Sequence, residues 1–172
     1  MSVSPSCRRW IAVIAVFFLN HGPVLASSCP WPAVVLDRLY LPFGLELFAE
    51  KAAAIEALHP WGEPKCQSDR CSWFKVGDDW NGSITQSFHA DTIVSMQIEC
   101  TLPRADAQRQ REKLSALMKN LGDWVVIDRR DALAAQLSTG VHFSAESKDA
   151  RIEVKFEERE YTVHVSIALR AK

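Results

Sequence analysis

The chain has 172 residues, with 20 Lys and Arg against 21 Asp and Glu and a formal net charge of −1. This near balance provides no basic excess for binding a phosphate backbone and no acidic run typical of a disordered tail. The length is typical of one domain that buries a true hydrophobic core. We therefore expect a folded protein that binds no nucleic acid.

The first residues have the layout of an export signal. Arg8 and Arg9 precede the uninterrupted apolar run 10–19, and the small residues of Val24-Leu25-Ala26 form an acceptable cleavage site. The apolar run is about half the ~20 residues that a helix needs to cross a bilayer. We predict that residues 1–26 are a cleaved signal peptide and that the mature protein begins at Ser27. A membrane anchor or a buried N-terminal helix is the alternative interpretation.

The segment Ala26-Ser27-Ser28-Cys29 also loosely resembles a bacterial lipobox, in which Cys29 would become the lipidated N-terminus. Lipidation would leave Cys66, Cys71 and Cys100, an odd number, in an oxidising compartment. Cleavage after Ala26 leaves four cysteines instead. The parity favours a soluble protein in the periplasm or extracellular space, with a lipoprotein as the minority alternative.

Four cysteines allow three pairings, and proximity favours a bridge between Cys66 and Cys71 that leaves Cys29 to pair with Cys100. A redox pair usually has a two-residue gap at a helix N-terminus, and CQSDRCSWF has neither feature. A metal site could recruit His59 or His89, but the sequence has no second closely spaced ligand pair to complete a tetrahedron. We predict two disulfides, no metal and no cofactor.

The hydrophobic period alternates between helical and strand-like spacing along the mature chain. Helical spacing of apolar residues predicts a helix over 45–58, ended by His59-Pro60, and strand-like alternation predicts strands over 71–76, 83–89 and 91–100. The pattern then begins again with a helix from Pro103 to a stop at Gly122. After it we predict a strand at 124–127, a helical turn at 131–138, and strands around 141–145, 151–156 and 161–170.

This order predicts an α+β fold of two layers, with the helices on one face of an antiparallel sheet. Residues 27–172 would form a single domain containing two pseudo-repeats, 43–100 and 101–170. Phe43-Gly44 before the first helix and Trp61-Gly62-Glu63-Pro64 after it resemble the glycine-helix-glycine-proline frame of the beta-lactamase-inhibitor-protein class and of the small outer-membrane assembly proteins related to it. The resemblance covers about twenty residues. It implies this fold and a binding role, and the class has no catalytic residues to transfer.

The sequence has none of the common catalytic motifs, such as a Gly-x-Ser-x-Gly elbow, a phosphate loop, a His-Glu-x-x-His helix or a dinucleotide fingerprint. The candidates for acid–base chemistry are His89 with Asp91, His142 and His164, which lie on or beside predicted strands. His142 and His164 alternate with apolar residues, so we interpret them as surface histidines. A role in acid–base catalysis is the alternative.

Tryptophan offers a stronger indication than the titratable residues do. Trp61 and Trp73 are expected in the core, whereas Trp80 lies in the polar, glycine-containing turn 77–82. We predict that Trp80 is exposed and that, with Asp78 and Asp79, it contacts a binding partner. The alternative is that the turn folds back and Trp80 caps the edge of the core.

Together these features predict an exported, soluble, disulfide-bonded protein that binds a macromolecular partner, most simply another protein, without catalysis or a cofactor. Two roles fit equally well: an inhibitor or immunity protein that neutralises a toxic or lytic enzyme, and an assembly factor of the cell envelope. A small exported hydrolase, with a site assembled from scattered residues, is the alternative from a different class.

Overall fold

The computed structural model describes residues 29–172 except for 36–37, 77–79 and 135–137. The predicted signal peptide and its cleavage site lie outside the described residues, as do Asp78 and Asp79. Among the residues described, no helix combines the length and the apolar character needed to cross a membrane.

The described chain forms two α-helices, α1 (Lys51–Ala57) and α2 (Ala107–Lys119), and short 3-10 turns at Pro42–Gly44, His59–Trp61 and Arg104–Asp106. The strands are β1 (Ala33–Val35), β2 (Arg38–Tyr40), β3 (Lys65–Gln67), β4 (Arg70–Lys75), β5 (Asn81–His89), β6 (Thr92–Pro103), β7 (Val125–Ala134), β8 (Ser138–Glu146), β9 (Ala150–Glu158) and β10 (Thr162–Ala171). The predicted α+β class is confirmed, with sheet dominating over helix.

Eight of these strands form one antiparallel sheet in the order β3-β4-β5-β6-β10-β9-β8-β7, and β1 and β2 form a separate hairpin. Each half of the large sheet is a meander of four consecutive strands. The two meanders meet where the last strand of the first, β6, pairs with the last strand of the second, β10. The edge strands β3 and β7 are therefore the first strands of their meanders.

The strands alternate between a buried and an open side because successive side chains of a strand point to opposite faces. One row of paired positions crosses six strands and is fully buried or nearly so: Trp73, Ile84, Ile98, Ile167, Val154 and Phe143. Leu114 and Leu117 of α2 belong to the same hydrophobic core. The side of the sheet opposite to this row is called the open face below.

Helix α2 agrees with its prediction. Leu114, Leu117 and Leu121 of the predicted apolar stripe are buried, and Gly122 has a φ of 51°, the left-handed conformation that commonly ends a helix. Arg111, on the solvent side, pairs with Glu158, and its guanidinium lies 5.3 Å from the centroid of the Phe156 ring.

The first helix is shorter than predicted, because only residues 51–57 of the expected 45–58 are helical. Phe48, one of the apolar positions used for that prediction, has a φ of 69° and is 54% exposed. Its amide donates a hydrogen bond to the carbonyl of Ile93 at 2.8 Å. The chain before α1 is therefore tied to the start of β6, and this tertiary contact overrides the helical spacing of the sequence.

The helical turn predicted at 131–138 is wrong. Strand β7 runs on to Ala134, and β8 begins at Ser138. Pairing between Arg130 and His142 and between Asp131 and Val141 continues the ladder through the charged segment. The short strands β1, β2 and β3 were also missed, because three residues are too few to display an alternating pattern.

Both predicted disulfides are confirmed. Cys66 and Cys71 face each other across the β3–β4 hairpin, and Cys29 is joined to Cys100 of β6 over a sequence separation of 71. Two further contacts hold the N-terminal segment on α2: Lys113 Nζ donates to the carbonyl of Cys29 at 3.2 Å, and Trp31 Nε1 donates to Gln110 Oε1 at 2.8 Å.

We expect the two disulfides to contribute unequally to stability. Chain-entropy estimates give about 4 kcal/mol for the long Cys29–Cys100 loop and about 2 kcal/mol for the short Cys66–Cys71 loop. Urea unfolding of the Cys29→Ala/Cys100→Ala and Cys66→Ala/Cys71→Ala double variants should therefore rank them in that order. A larger loss of unfolding free energy from the short loop would contradict this expectation.

Candidate binding surface

The open face is a surface of polar side chains that spans the width of the sheet. Its two central rows of paired positions run from β4 through β5, β6, β10 and β9 to β8. The first row contains Phe74, Ser83, Glu99, Ser166, Lys155 and His142, and the second contains Ser72, Thr85, Gln97, Ala168, Glu153 and Ser144. Apart from Ser144, these side chains are half-buried or exposed, unlike the buried positions that alternate with them.

Glu99 is the centre of one hydrogen-bond network on this face. Its Oε1 accepts bonds from Gln97 Nε2 at 2.8 Å and from Ser166 Oγ at 2.9 Å, and its Oε2 lies 3.0 Å from His164 Nε2. The other ring nitrogen of His164 lies 3.3 Å from Thr101 Oγ1. Strands β6 and β10 are thus linked through one carboxylate, which fixes the side chains around it without removing them from solvent.

Glu153 is the centre of a second network. Its Oε1 lies 3.1 Å from His142 Nε2 and 3.2 Å from Lys155 Nζ, and His142 Nδ1 lies 3.7 Å from Asp128 Oδ2. Partial burial alone would raise the pKa of Glu153, but hydrogen bonds and positive charge from Lys155 and His142 outweigh it and hold this pKa below its ordinary value. Glu153 is consequently held in its charged form on the open face.

The predicted surface location of His142 and His164 is confirmed, since each side chain is 33% exposed. His89 and Asp91 lie elsewhere, beside the β5–β6 turn. His89 lies opposite Thr92 of β6, and His164 lies opposite Thr101 of the same strand. Thr92 and Thr101 are nine positions apart, which is about 30 Å at the usual rise of a strand. The structure therefore does not combine the predicted acid–base candidates into one site.

The predicted exposure of Trp80 is wrong. The side chain is only 3% exposed and meets Trp61 edge to face, with ring centroids 5.2 Å apart. Lys75 Nζ lies 5.2 Å from the centroid of the Trp80 ring. Trp80 therefore caps the edge of the core, so the reason for assigning it to a partner surface is removed.

Gly82 explains how the indole is buried next to a polar turn. It occupies an inward position of β5, opposite Cys100, and a Cβ there would collide with the Trp80 ring and lie 2.7 Å from the carbonyl oxygen of Glu99. A glycine inside a strand often marks such a close approach. This glycine, two residues after Trp80, is the feature of the sequence that could have predicted the burial.

Sequence reasoning also missed the carboxylates that organise the open face. Glu99, Glu153 and Asp128 belong to no recognisable motif, so the sequence alone does not single them out. They meet the two histidines through strand register, which single-sequence patterns do not supply. Among the described residues, no group of three or more His, Cys, Asp or Glu side chains is arranged to hold a metal ion.

Comparisons with protein-family models, with characterised proteins and with solved structures find no significant match to this chain. The open face is therefore interpreted from its own geometry.

Gly82→Ala should destabilise the protein by about 1–3 kcal/mol, because the added methyl group overpacks the space between Trp80 and the Glu99 backbone. Ser83→Ala, the next position and on the open face, is the matched control and should change the unfolding free energy by less than about 0.5 kcal/mol. Urea unfolding measures both. Equal effects of the two substitutions would show that Trp80 does not pack on Gly82.

The lowered pKa of Glu153 gives stability a defined pH dependence. A carboxyl group with a lower pKa in the folded state stabilises the protein above its unfolded pKa, and this contribution is lost as the pH falls through the folded value. Glu153→Gln should therefore lower the melting temperature at pH 7, and the difference from wild type should shrink below about pH 4.5, the ordinary value for Glu. A difference that stays constant from pH 7 to pH 3 would contradict the assignment.

Proposed function

We propose that the protein is an exported, non-catalytic binding protein whose open face contacts a macromolecular partner, and that this partner is another protein. The main support for this proposal is the open face. It is a broad, ordered polar surface on one side of a sheet whose other side packs in the hydrophobic core. The two disulfides are consistent with an oxidising, exported environment.

Preorganised side chains support a binding role. The Glu99 network joins β6 and β10, and the Glu153 network joins β8 and β9 and approaches Asp128 on β7. Side chains that already hold their positions lose less conformational entropy when a partner orders them. The side chains of Glu99 and Glu153 remain 31% and 28% exposed, so a partner of complementary charge can reach them and be selected over others.

We further infer the two-layer arrangement and the tandem repeat that the sequence suggested. Each half runs from a helix into a four-stranded meander, and the strand order is symmetric about the β6–β10 pair. Contact between Arg111 of α2 and the inward ring of Phe156 supports placement of α2 on the buried side of the sheet. The pseudo-repeats 43–100 and 101–170 would then be two copies of one helix-plus-sheet unit.

The resemblance to the beta-lactamase-inhibitor-protein class gains support from the frame around α1. Gly44 and Gly62 have φ values of 73° and 93°, which favour glycine at both positions. Phe43 and Trp61, which neighbour them, meet edge to face with centroids 6.1 Å apart. On this basis we retain both proposed roles, inhibition or immunity against a toxic or lytic enzyme and assembly of an envelope complex.

A hydrolase remains the second candidate, on one observation. Thr101 Oγ1, His164 and Glu99 form a hydroxyl–imidazole–carboxylate chain with contacts of 3.3 Å and 3.0 Å. This order of groups is the one that activates a nucleophilic hydroxyl. Turnover of a panel of activated esters by wild type, abolished in Thr101→Val, would favour this candidate, and absence of turnover in wild type would count against it.

A large side chain placed in the middle of the open face should block the partner. Ala168→Arg adds it between Gln97 and Glu153, and we expect the affinity for the captured partner to fall at least tenfold with little change in melting temperature. Ala53→Arg is the matched control, because Ala53 is exposed on α1. Calorimetry measures binding of a partner identified by cross-linking in the native compartment. Unchanged affinity for Ala168→Arg would place the interface elsewhere.

A further inference from the structure

One end of the open face differs from the rest in its chemistry. The outward side chains of the β3–β4 hairpin form a patch there, lining a shallow groove of about 280 Å³, and are called the hairpin patch: Lys65, Gln67, Arg70, Ser72 and Phe74. Phe74 is 57% exposed. The exposed ring gives a partner an apolar contact surface on an otherwise polar face.

Two cations line the same groove as the ring. Lys65 Nζ lies 5.7 Å from the centroid of Phe74, and Arg70 lines the same groove. Within the described part of the chain, neither cation forms an ion pair. The neighbouring carboxylate, Asp69, accepts a hydrogen bond from Ser68 Oγ at 3.1 Å. The patch therefore combines an apolar contact surface with two cations that have no acidic partner among the residues described.

The disulfide makes this patch rigid. Cys66 and Cys71 are directly opposite each other, and their bridge lies on the reverse of the hairpin from Lys65, Ser72 and Phe74. Ser72 is also hydrogen-bonded to Thr85 of β5 at 3.1 Å. Fixing both strands of a three-residue edge pairing in advance lowers the entropic cost of binding there. The disulfide thus fixes the shape of the groove and lies outside it.

From these features we infer that the hairpin patch binds an acidic segment of the partner protein, with carboxylates beside Lys65 and Arg70 and an apolar side chain against Phe74. This inference rests on the proposed binding function and names the chemistry that the partner must present. Because the remainder of the open face carries mixed charge, the hairpin patch is where selection for an acidic segment is strongest.

A protein segment fits the patch better than an anionic membrane does. Lipid recognition by basic clusters usually requires about four to eight Lys or Arg residues, and the hairpin patch has two. A groove bordered by one ring and two separated cations instead matches alternating acidic and apolar side chains. Membrane binding is kept as a separate outcome of the test.

The first experiment uses a defined probe, the peptide Ac-EELWEELE-amide, and its basic counterpart Ac-KKLWKKLK-amide. In amide correlation spectra of the ¹⁵N-labelled protein, the acidic peptide should shift the resonances of residues 65–74, and the basic peptide should not. The shifts should be lost in Lys65→Glu/Arg70→Glu and in Phe74→Ala. Shifts spread over other parts of the sheet, or equal responses to both peptides, would overturn the inference.

Matched controls separate specific from general effects. Tyr161→Ala removes an aromatic ring that is 76% exposed in another turn, and Lys148→Glu reverses an exposed charge far along the sequence. Both should bind the acidic peptide as wild type does. Vesicles of phosphatidylglycerol provide the membrane arm. Binding to these vesicles that is lost in Lys65→Glu/Arg70→Glu, with no response to the acidic peptide, would reject a protein segment as the occupant.

The partner assay distinguishes this inference from the proposed function. If wild type and both hairpin variants bind an identified partner equally well, the inference fails while the binding function stands. If the acidic peptide binds as described but Ala168→Arg leaves partner affinity unchanged, the patch is correct and the assignment of the whole open face is wrong. A loss of partner affinity of at least tenfold in Phe74→Ala supports both.

Discussion

Strands β6 and β10 pair over nine residue positions, and this pairing joins two meanders that would otherwise each expose a long edge strand. It also sets which side chains share a face, since a slip of one residue would turn every inward side chain outward. Ile98 lies opposite Ile167 in the core, and Glu99 lies opposite Ser166 on the open face. The core and the candidate surface therefore depend on the same register.

Within the described residues, the sheet has two edge strands, β3 and β7, that pair on one side only. The β3 edge is only three residues long, which limits the backbone available to a second chain. The β7 edge is longer and exposes Val125, Val126 and Ile127. Next to it, a groove of about 530 Å³ is lined by Leu114, Met118 and Phe143 among others. This groove lies at the opposite edge of the sheet from the hairpin patch.

The sequence alone predicted those features that follow from local hydrophobic alternation or from the even number of cysteines. The β9–β10 hairpin, α2 with its stop at Gly122, and both disulfides were predicted because period, glycine punctuation and an even cysteine count are readable without knowing the fold. Residues 45–50 could not be predicted in the same way, since their bonding to β6 is a long-range contact. The prediction of a helical turn at 131–138 was wrong because a charged edge strand does not display the alternating pattern of a half-buried strand.

The candidate surface was predictable only in outline. Alternation placed His142 and His164 on the side opposite the apolar residues, but the carboxylates beside them come from strands 11 and 65 residues away in sequence. For Trp80 the sequence was misleading. Its polar neighbours suggested exposure, whereas Gly82 leaves the space in which the ring is buried.

The Cys29–Cys100 crosslink also determines how the molecule would respond to mechanical force. Tension applied at Cys29 and at Lys172 passes through the disulfide directly to Cys100, so the intervening part of the chain cannot be extended while the bridge is intact. The force then reaches β10 through its ladder with β6, between the Cys100–Val165 and Ser95–Arg170 pairs. Antiparallel strands pulled from positions offset along their length resist in shear, with several hydrogen bonds sharing the force. Only the residues after Cys100 can be drawn out, at most about 3.6 Å for each, and the first half of the chain keeps its contour length until the disulfide is reduced.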